Sequence, residues 1–438
     1  MTPARLIALG FLLVILAGAG LLCLPFASKE EPASFLEALF TSTSATCVTG
    51  LIVRDTFTSW TGFGQGIILF LIQLGGLGLM TVITLVSYAL GKHLGLYDRK
   101  VLMQSAGNMS LSGIGVLIRR IIPFAFVIEG IGALLLAFRF VPEFGWGRGI
   151  WYSVFHSVSA FCNAGFDLMG IKTPFSSVTD YVSDPLVSLT LAGLIIVGGL
   201  GFLVWRDISQ NGLKWHKYQL HTKLVLSMTG ILLLGGTVLF LLFEWNASMA
   251  GMSFGEKLLA SFFQAVTPRT AGFNTIDLNA LSEAGNLLTN ALMLIGGSPG
   301  STAGGMKTTT VAVLVLSTLA SARGKTRVNA FRYAIDRDTI RQACSIAVIY
   351  LSLTAVSIMA LCAMDPVTVK EATLEVCSAI ATVGLTLGIT PSLSAPGQIL
   401  LILLMYAGRI GGLTFALLFG ERRTEPPVDR PKGKLLIG

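Results

Sequence analysis

Charge is scarce in this chain. Only 12% of its 438 residues are Asp, Glu, Lys or Arg, about half the share found in soluble domains. Polar linkers, which divide a soluble chain of this length into domains, are missing as well. The six cysteines, Cys23, Cys47, Cys162, Cys344, Cys362 and Cys377, contain no CxxC pair and mostly lie in apolar stretches. They read as small hydrophobic residues rather than as a disulfide framework or a zinc site. The four histidines, His93, His156, His216 and His221, form no metal-ligand pattern. HExxH, paired carboxylates and a Ser/His constellation are absent from the apolar stretches, which argues against a membrane-embedded enzyme. What the chain has instead is apolar residues, 53% of the total, with a mean hydropathy of +0.75. Composition therefore excludes a soluble enzyme and a disordered scaffold, and implies a helical protein that crosses a membrane many times.

Eight runs are long enough to be candidate spans: Leu6–Phe26, Gly62–Leu90, Ile121–Phe138, Pro185–Trp205, Leu224–Phe243, Leu287–Leu319, Ala343–Ala363 and Gln398–Gly420. The first is read as a retained span, not a signal peptide. After every odd span comes a shorter, more polar stretch: Pro32–Thr46, Trp151–Phe161, Phe254–Thr267 and Pro366–Ile380. The order is span, half-span, span, four times over. If both termini lie in the cytoplasm, 23 of the 31 basic residues fall on the inner side, including Lys92–Lys100 and Arg323–Arg341. The positive-inside rule supports that orientation. It also accounts for the net charge of +8 without a nucleic-acid partner.

An internal repeat lies behind this order. Four segments align without gaps: Ser44-Ala-Thr-Cys-Val48-Thr49-Gly50-Leu, Ser159-Ala-Phe-Cys-Asn163-Ala164-Gly165-Phe, Val266-Thr-Pro-Arg-Thr270-Ala271-Gly272-Phe and Ser378-Ala-Ile-Ala-Thr382-Val383-Gly384-Leu. Their glycines are 115, 107 and 112 residues apart. Each segment follows a half-span and precedes a full span. A second glycine repeat lies in the even spans, at Gly75-Gly-Leu-Gly, Gly198-Gly-Leu-Gly, Gly296-Gly-Ser-Pro-Gly and Gly411-Gly-Leu near Gly408. That one reads foremost as close helix packing.

The first repeat carries chemistry. Irregular backbone at membrane depth is tolerated only inside protein or beside a water-filled path, and four parallel copies around one axis satisfy that rule. A monovalent cation crossing a bilayer must exchange its water for other oxygens, and rings of backbone carbonyls provide them. Glycine permits the backbone angles that aim successive carbonyls at an axis. Each half-span, if helical, points its negative C-terminal end at the path. Thr382-Val383-Gly384 also opens like the potassium-channel filter sequence TVGYG.

These loops have company: Ile295-Gly-Gly-Ser-Pro-Gly-Ser-Thr-Ala-Gly-Gly-Met-Lys307-Thr-Thr, Gly408-Arg409-Ile-Gly411 and a short tail ending Leu435-Leu-Ile-Gly438. Together they resemble the potassium transporter superfamily of the Trk and Ktr membrane subunits and the plant HKT transporters, the bacterial Ktr membrane subunit most of all. The resemblance spans nearly the whole chain. It implies an all-α membrane protein with four parallel span–pore-loop–span repeats around a central pseudo-fourfold ion pore. By this reading the repeats occupy residues 1–91, 92–210, 211–325 and 326–420, with a tail over 421–438.

The resemblance further implies one filter glycine per loop (Gly50, Gly165, Gly272 and Gly384), with Val48, Thr49, Asn163, Ala164, Thr270, Ala271, Thr382 and Val383 completing the potassium sites. It implies that the stretch over 297–305, with Gly297, Ser298, Pro299, Gly300, Gly304 and Gly305, is an intramembrane gating loop held shut by Arg409. The glycines and proline weaken helix there on any reading. A Walker A loop is excluded because Met306 separates Gly305 from Lys307 and no soluble strand precedes them. Glu129, buried in the third span, is expected to pair with a basic residue or to buttress packing, and Arg269 to bridge to an outer acid. The remaining expectations are a homodimer in the bacterial plasma membrane and a cytosolic ring of nucleotide-binding regulatory subunits. No cofactor is expected on this chain; potassium is its cargo, with sodium dependence left open.

Overall fold

The computed structural model describes residues 3–78 and 114–411. The basic stretch Lys92–Lys100, the distal parts of the second and eighth spans and the tail over 421–438 lie outside the described residues. Within them the chain is helical apart from a small antiparallel hairpin, Asn329–Ala330 with Tyr333–Ala334. The helices are α1 (Pro3–Leu22), α2 (Phe35–Cys47), α3 (Thr56–Ser59), α4 (Gly62–Leu77), α5 (Ile114–Phe144), α6 (Trp146–Phe161), α7 (Pro185–Leu200) and α8 (Phe202–Asn211). They continue as α9 (Leu220–Glu244), α10 (Phe254–Val266), α11 (Glu283–Leu294), α12 (Thr308–Ala322), α13 (Arg337–Met364), α14 (Val369–Ala381) and α15 (Ala395–Ile410).

Among the described residues, α1, α5, α9 and α13 are each long and apolar enough to cross a bilayer. Their outward faces carry large apolar side chains, such as Phe138, Leu234 and Val348, that solvent water would not tolerate in such numbers. One expected span differs from the prediction, and another breaks at the loop expected to interrupt it. Pro185–Trp205 breaks at Gly201, and α8 turns 94° away from α7. Leu287–Leu319 is two helices, α11 and α12, separated by an irregular segment over 295–307.

The half-spans are the short helices α2, α6, α10 and α14. Three of them begin with a reciprocal capping box: Ser34 with Glu37, Ser253 with Glu256, and Thr368 with Glu371. Each pair satisfies two backbone N–H groups that a helix start leaves open. Helix α6 instead starts at Gly145, with φ 81°, and has no side-chain cap. The helices that follow are tied in place by acids on distant elements. Buried Glu244 accepts from the N–H of Ser282 at 3.1 Å and from its hydroxyl at 2.6 Å, and Ser282 caps α11. Asp365 does the same for Ser394 at the start of α15, at 2.8 and 3.0 Å. Glu244→Ala leaves those buried donors unmatched, so an unfolding midpoint in detergent should drop by the equivalent of about 1–3 kcal/mol. An unshifted midpoint would remove Glu244 from the framework.

Packing then runs around a circuit. Helix α4 packs on α6, α7 on α10, α11 on α14, and α15 returns to α2. The last helix thereby seals against the first short helix.

Candidate functional site

Four loops of like conformation leave the C-terminal ends of α2, α6, α10 and α14. In each, the residue two before the glycine is left-handed: Val48 at φ 58°, Asn163 at 59°, Thr270 at 73° and Thr382 at 53°. The glycine is also at positive φ: Gly50 at 94°, Gly165 at 70°, Gly272 at 83° and Gly384 at 99°. A left-handed Val or Thr is uncommon and costs energy, so its recurrence at four equivalent places marks an imposed geometry.

The four loops meet. A Cβ built on Gly50 would lie 3.1 Å from the Cα of Gly165. One on Gly165 would lie 3.0 Å from Gly272, one on Gly272 3.2 Å from Gly384, and one on Gly384 3.0 Å from Gly50. The glycines therefore form a closed ring in chain order. The atom nearest each of those positions is a neighbouring loop's carbonyl oxygen, from Ala164, Ala271, Val383 and Thr49 in turn. No side chain fits at any of the four without displacing backbone.

Side chains brace the ring. The Gly50 N–H donates to the Ser44 hydroxyl at 3.0 Å, and the Gly384 N–H to that of Ser378 at 2.9 Å. These serines are the polar residues six before the glycine that the sequence repeat shows. The symmetry stops there: the Ser159 hydroxyl has no partner among the described residues, and Val266 has no hydroxyl. Loops two and three are joined instead by the Asn163 amide and the Thr270 hydroxyl, 3.2 Å apart.

The second glycine repeat explains the close fit. Gly75 abuts the Thr46 carbonyl, Gly198 that of Phe161 and Gly408 that of Ile380. Each lets a neighbouring helix lie directly against the last turn of a short helix, as close-packing glycines do.

The 295–307 segment runs between the C-terminal ends of α6 and α14. The N–H groups of Ser298 and Thr302 donate to Gly199 and Gly198 at the end of α7, at 3.0 and 3.3 Å. The Thr302 hydroxyl donates to Phe161 at 3.1 Å, and Gly300 accepts from Phe202 at 2.8 Å. At its other end, Gly304 and Gly305 lie against Thr382 and Ala381 of the fourth loop. Gly300 and Gly305 take φ 66°, while Gly297 is hemmed in by Ala303 and Ser301. Pro299 offers no N–H for any of this bonding. Arg409 donates to the Thr302 carbonyl of this segment and also to Gly75 at the end of α4. One feature was missed from sequence: the Lys307 ammonium, which donates to Ala303 at 2.7 Å and pins the segment from within.

One expectation is narrowed and another needs correction. Glu129 pairs with no basic residue among those described; the Gln73 amide holds its carboxylate at 3.0 and 3.2 Å. Arg269 reaches no outer acid among the described residues. It is buried, and its guanidinium donates to the Thr229 hydroxyl of α9 at 3.3 Å.

The family model for TrkH, described as a cation transport protein, matches residues 10–424. The chain belongs to the TrkH cation transport family. It is 43% identical to the potassium/sodium uptake protein NtpJ of Enterococcus hirae, covering 100% of this chain and 98% of that one. It is 40% identical to the Ktr system potassium uptake protein B of Bacillus subtilis, covering 100% and 97%. The crystal structure of the potassium transporter TrkH from Vibrio parahaemolyticus superposes with a TM-score of 0.74 at 19% identity, over 96% of this chain and 85% of that one. That likeness shows the shared fold. The protein is thus a multi-pass membrane transporter of cations, not an enzyme.

Proposed function

We propose that this chain is the membrane subunit of a potassium uptake system, in which the glycine ring is the selectivity filter. The observation carrying this reading is the closed succession Gly50–Gly165–Gly272–Gly384 with the carbonyls of Thr49, Ala164, Ala271 and Val383 beside it. A potassium ion entering would exchange water for these oxygens and for those of Val48, Asn163, Thr270 and Thr382. The Thr46, Thr49 and Thr382 hydroxyl oxygens are buried without partners among the described residues, which leaves them free to accept. The C-terminal ends of four helices face the same region and favour a cation.

Gly297–Gly305 is then the gate and Arg409 its latch, because a guanidinium charge beside the path opposes a potassium ion while its hydrogen bonds hold the segment across it. Transport is passive and inward, down the electrochemical gradient. Both termini face the cytoplasm of a bacterial plasma membrane, where the basic loops meet a ring of nucleotide-binding regulatory subunits. The chain works as a homodimer. A sodium-permeable transporter is the second reading, favoured by the name of the Enterococcus relative. Expression in a bacterium lacking its own potassium uptake, with and without a cytosolic nucleotide-binding partner, tests both. Growth at low potassium and rubidium uptake above the empty vector are expected. Sodium uptake without either would replace the first reading by the second.

A further inference from the structure

A second, unrelated feature lies where α4 and α6 begin, on the membrane face from which the short helices start. Lys29, Phe57, Gly62, Gln65, Arg148, Trp151 and Tyr152 line a cleft of about 470 Å³. Its charged lining residues are both basic. Arg148 makes no hydrogen bond or ion pair among the described residues. The Lys29 ammonium sits 4.0 Å over the Phe57 ring and donates to the Phe57 carbonyl. Burial holds the Lys29 ammonium below the ordinary lysine range; Asp55 opposes this and the Arg148 charge adds to it. The cleft therefore gathers two positive charges that repel each other; Asp55 offsets part of the Lys29 charge, and no ion pair among the described residues offsets Arg148. The Trp151 indole N–H donates to Gln65 at 2.9 Å and so fixes one wall.

Apolar surface continues from the cleft toward the bilayer interior. On α4, Gly62, Gly66 and Phe70 recur at every fourth residue and form one stripe. Nothing stands within 4 Å of a Cβ built on Gly62 or Gly66, and Phe70 is 63% exposed. On α6, Ile150 and Val154 are exposed beside Trp151. Phe26 and Phe63, also exposed, pack with ring centroids 5.0 Å apart and planes tilted by 57°. Cations at the interface above a shallow apolar groove match a molecule with an anionic head and hydrocarbon tails, not a free anion.

We propose that this cleft seats the phosphodiester headgroup of an anionic phospholipid between Lys29 and Arg148, with an acyl chain along Gly62, Gly66 and Phe70. The site is separate from the ion pathway and does not depend on which ion passes.

Native mass spectrometry of the full chain in mild detergent tests it, with phosphatidylglycerol, phosphatidylcholine of the same chains and inorganic phosphate as probes. Phosphatidylglycerol should be retained over phosphatidylcholine. Lys29→Gln with Arg148→Gln should weaken that retention about thirtyfold, at about fivefold per basic residue facing an anionic surface. Gly66→Trp should displace the lipid although both cations remain. Arg139→Gln, which removes an exposed cation paired with Asp184, should leave retention unchanged. The proposal is overturned by equal retention of the two lipids, by an unaffected double variant, or by an equal loss in Arg139→Gln. Displacement of the lipid by phosphate alone, or full retention in Gly66→Trp, also overturns it, because the cleft would then be a free-anion site. Size-exclusion profiles and retained rubidium uptake show that the variants are folded.

Discussion

Replacing Gly50 by serine should lower the preference for potassium over sodium about tenfold while leaving a folded transporter. Gly50 sits at φ 94°, where side chains are strained, and a Cβ there would press on Ala164 and come within 3.3 Å of the carbonyl carbon of Gly165. Relief requires the first and second loops to shift apart. Strain of this kind costs on the order of 1–3 kcal/mol, and each ~1.4 kcal/mol of differential binding is a factor of ten. A loosened ring fits the larger, weakly hydrated ion less selectively, because selectivity depends on the difference between the two ions' binding, not on the strength of either. The control is Gly62→Ser, at a glycine with open space around it, where no change is expected. Competitive uptake of rubidium and sodium by cells carrying each variant measures the ratio. An unchanged ratio in a well-folded Gly50→Ser protein would falsify the assignment of this ring as the filter.

The loops were readable in the sequence because their demands are local. A left-handed residue, then a residue and a glycine, after a short helix, leaves the same trace each time. The capping serines and threonines, with glutamate three residues on, mark three of the four helix starts in the same way. Where the sequence misled, long-range partners decided. Apolar character runs unbroken from Pro185 to Trp205, yet the helix breaks at Gly201, whose φ is 94°, and the Phe202 N–H is taken by Gly300, about a hundred residues away. Arg269 suggested a surface ion pair, but its partner is a threonine on α9. Lys307 looked relevant only to a phosphate loop, and its carbonyl partners lie within the segment it ends. The closure of α15 onto α2 joins the last described helix to the first short one, which no local pattern signals. Arg409 illustrates both cases. Its place inside a span announced a function, but its bond to Gly75 comes from folding α4 and α15 together.

Deleting Pro299–Ala303 should raise rubidium flux roughly tenfold, and Arg409→Gln should raise it severalfold. The segment is held by backbone bonds to Gly198, Gly199 and Phe202, by the Thr302 hydroxyl on Phe161 and by Arg409 on Thr302. A neutral bond contributes about 0.5–1.5 kcal/mol and one from a charged group about 1.5–3. Loss of Arg409 therefore weakens the closed arrangement by an amount that shifts a two-state equilibrium about ten- to a hundredfold, and the deletion removes the barrier itself. The decisive measurement is the combination. If Arg409 acts by holding this segment, removing the segment first leaves it nothing to hold, so the double variant should conduct no faster than the deletion alone. Independent effects would multiply instead, since separate sites add in free energy. A multiplied flux would place the Arg409 effect on the ion path directly, and a folded deletion variant with normal or reduced flux would end the reading of residues 297–305 as a gate.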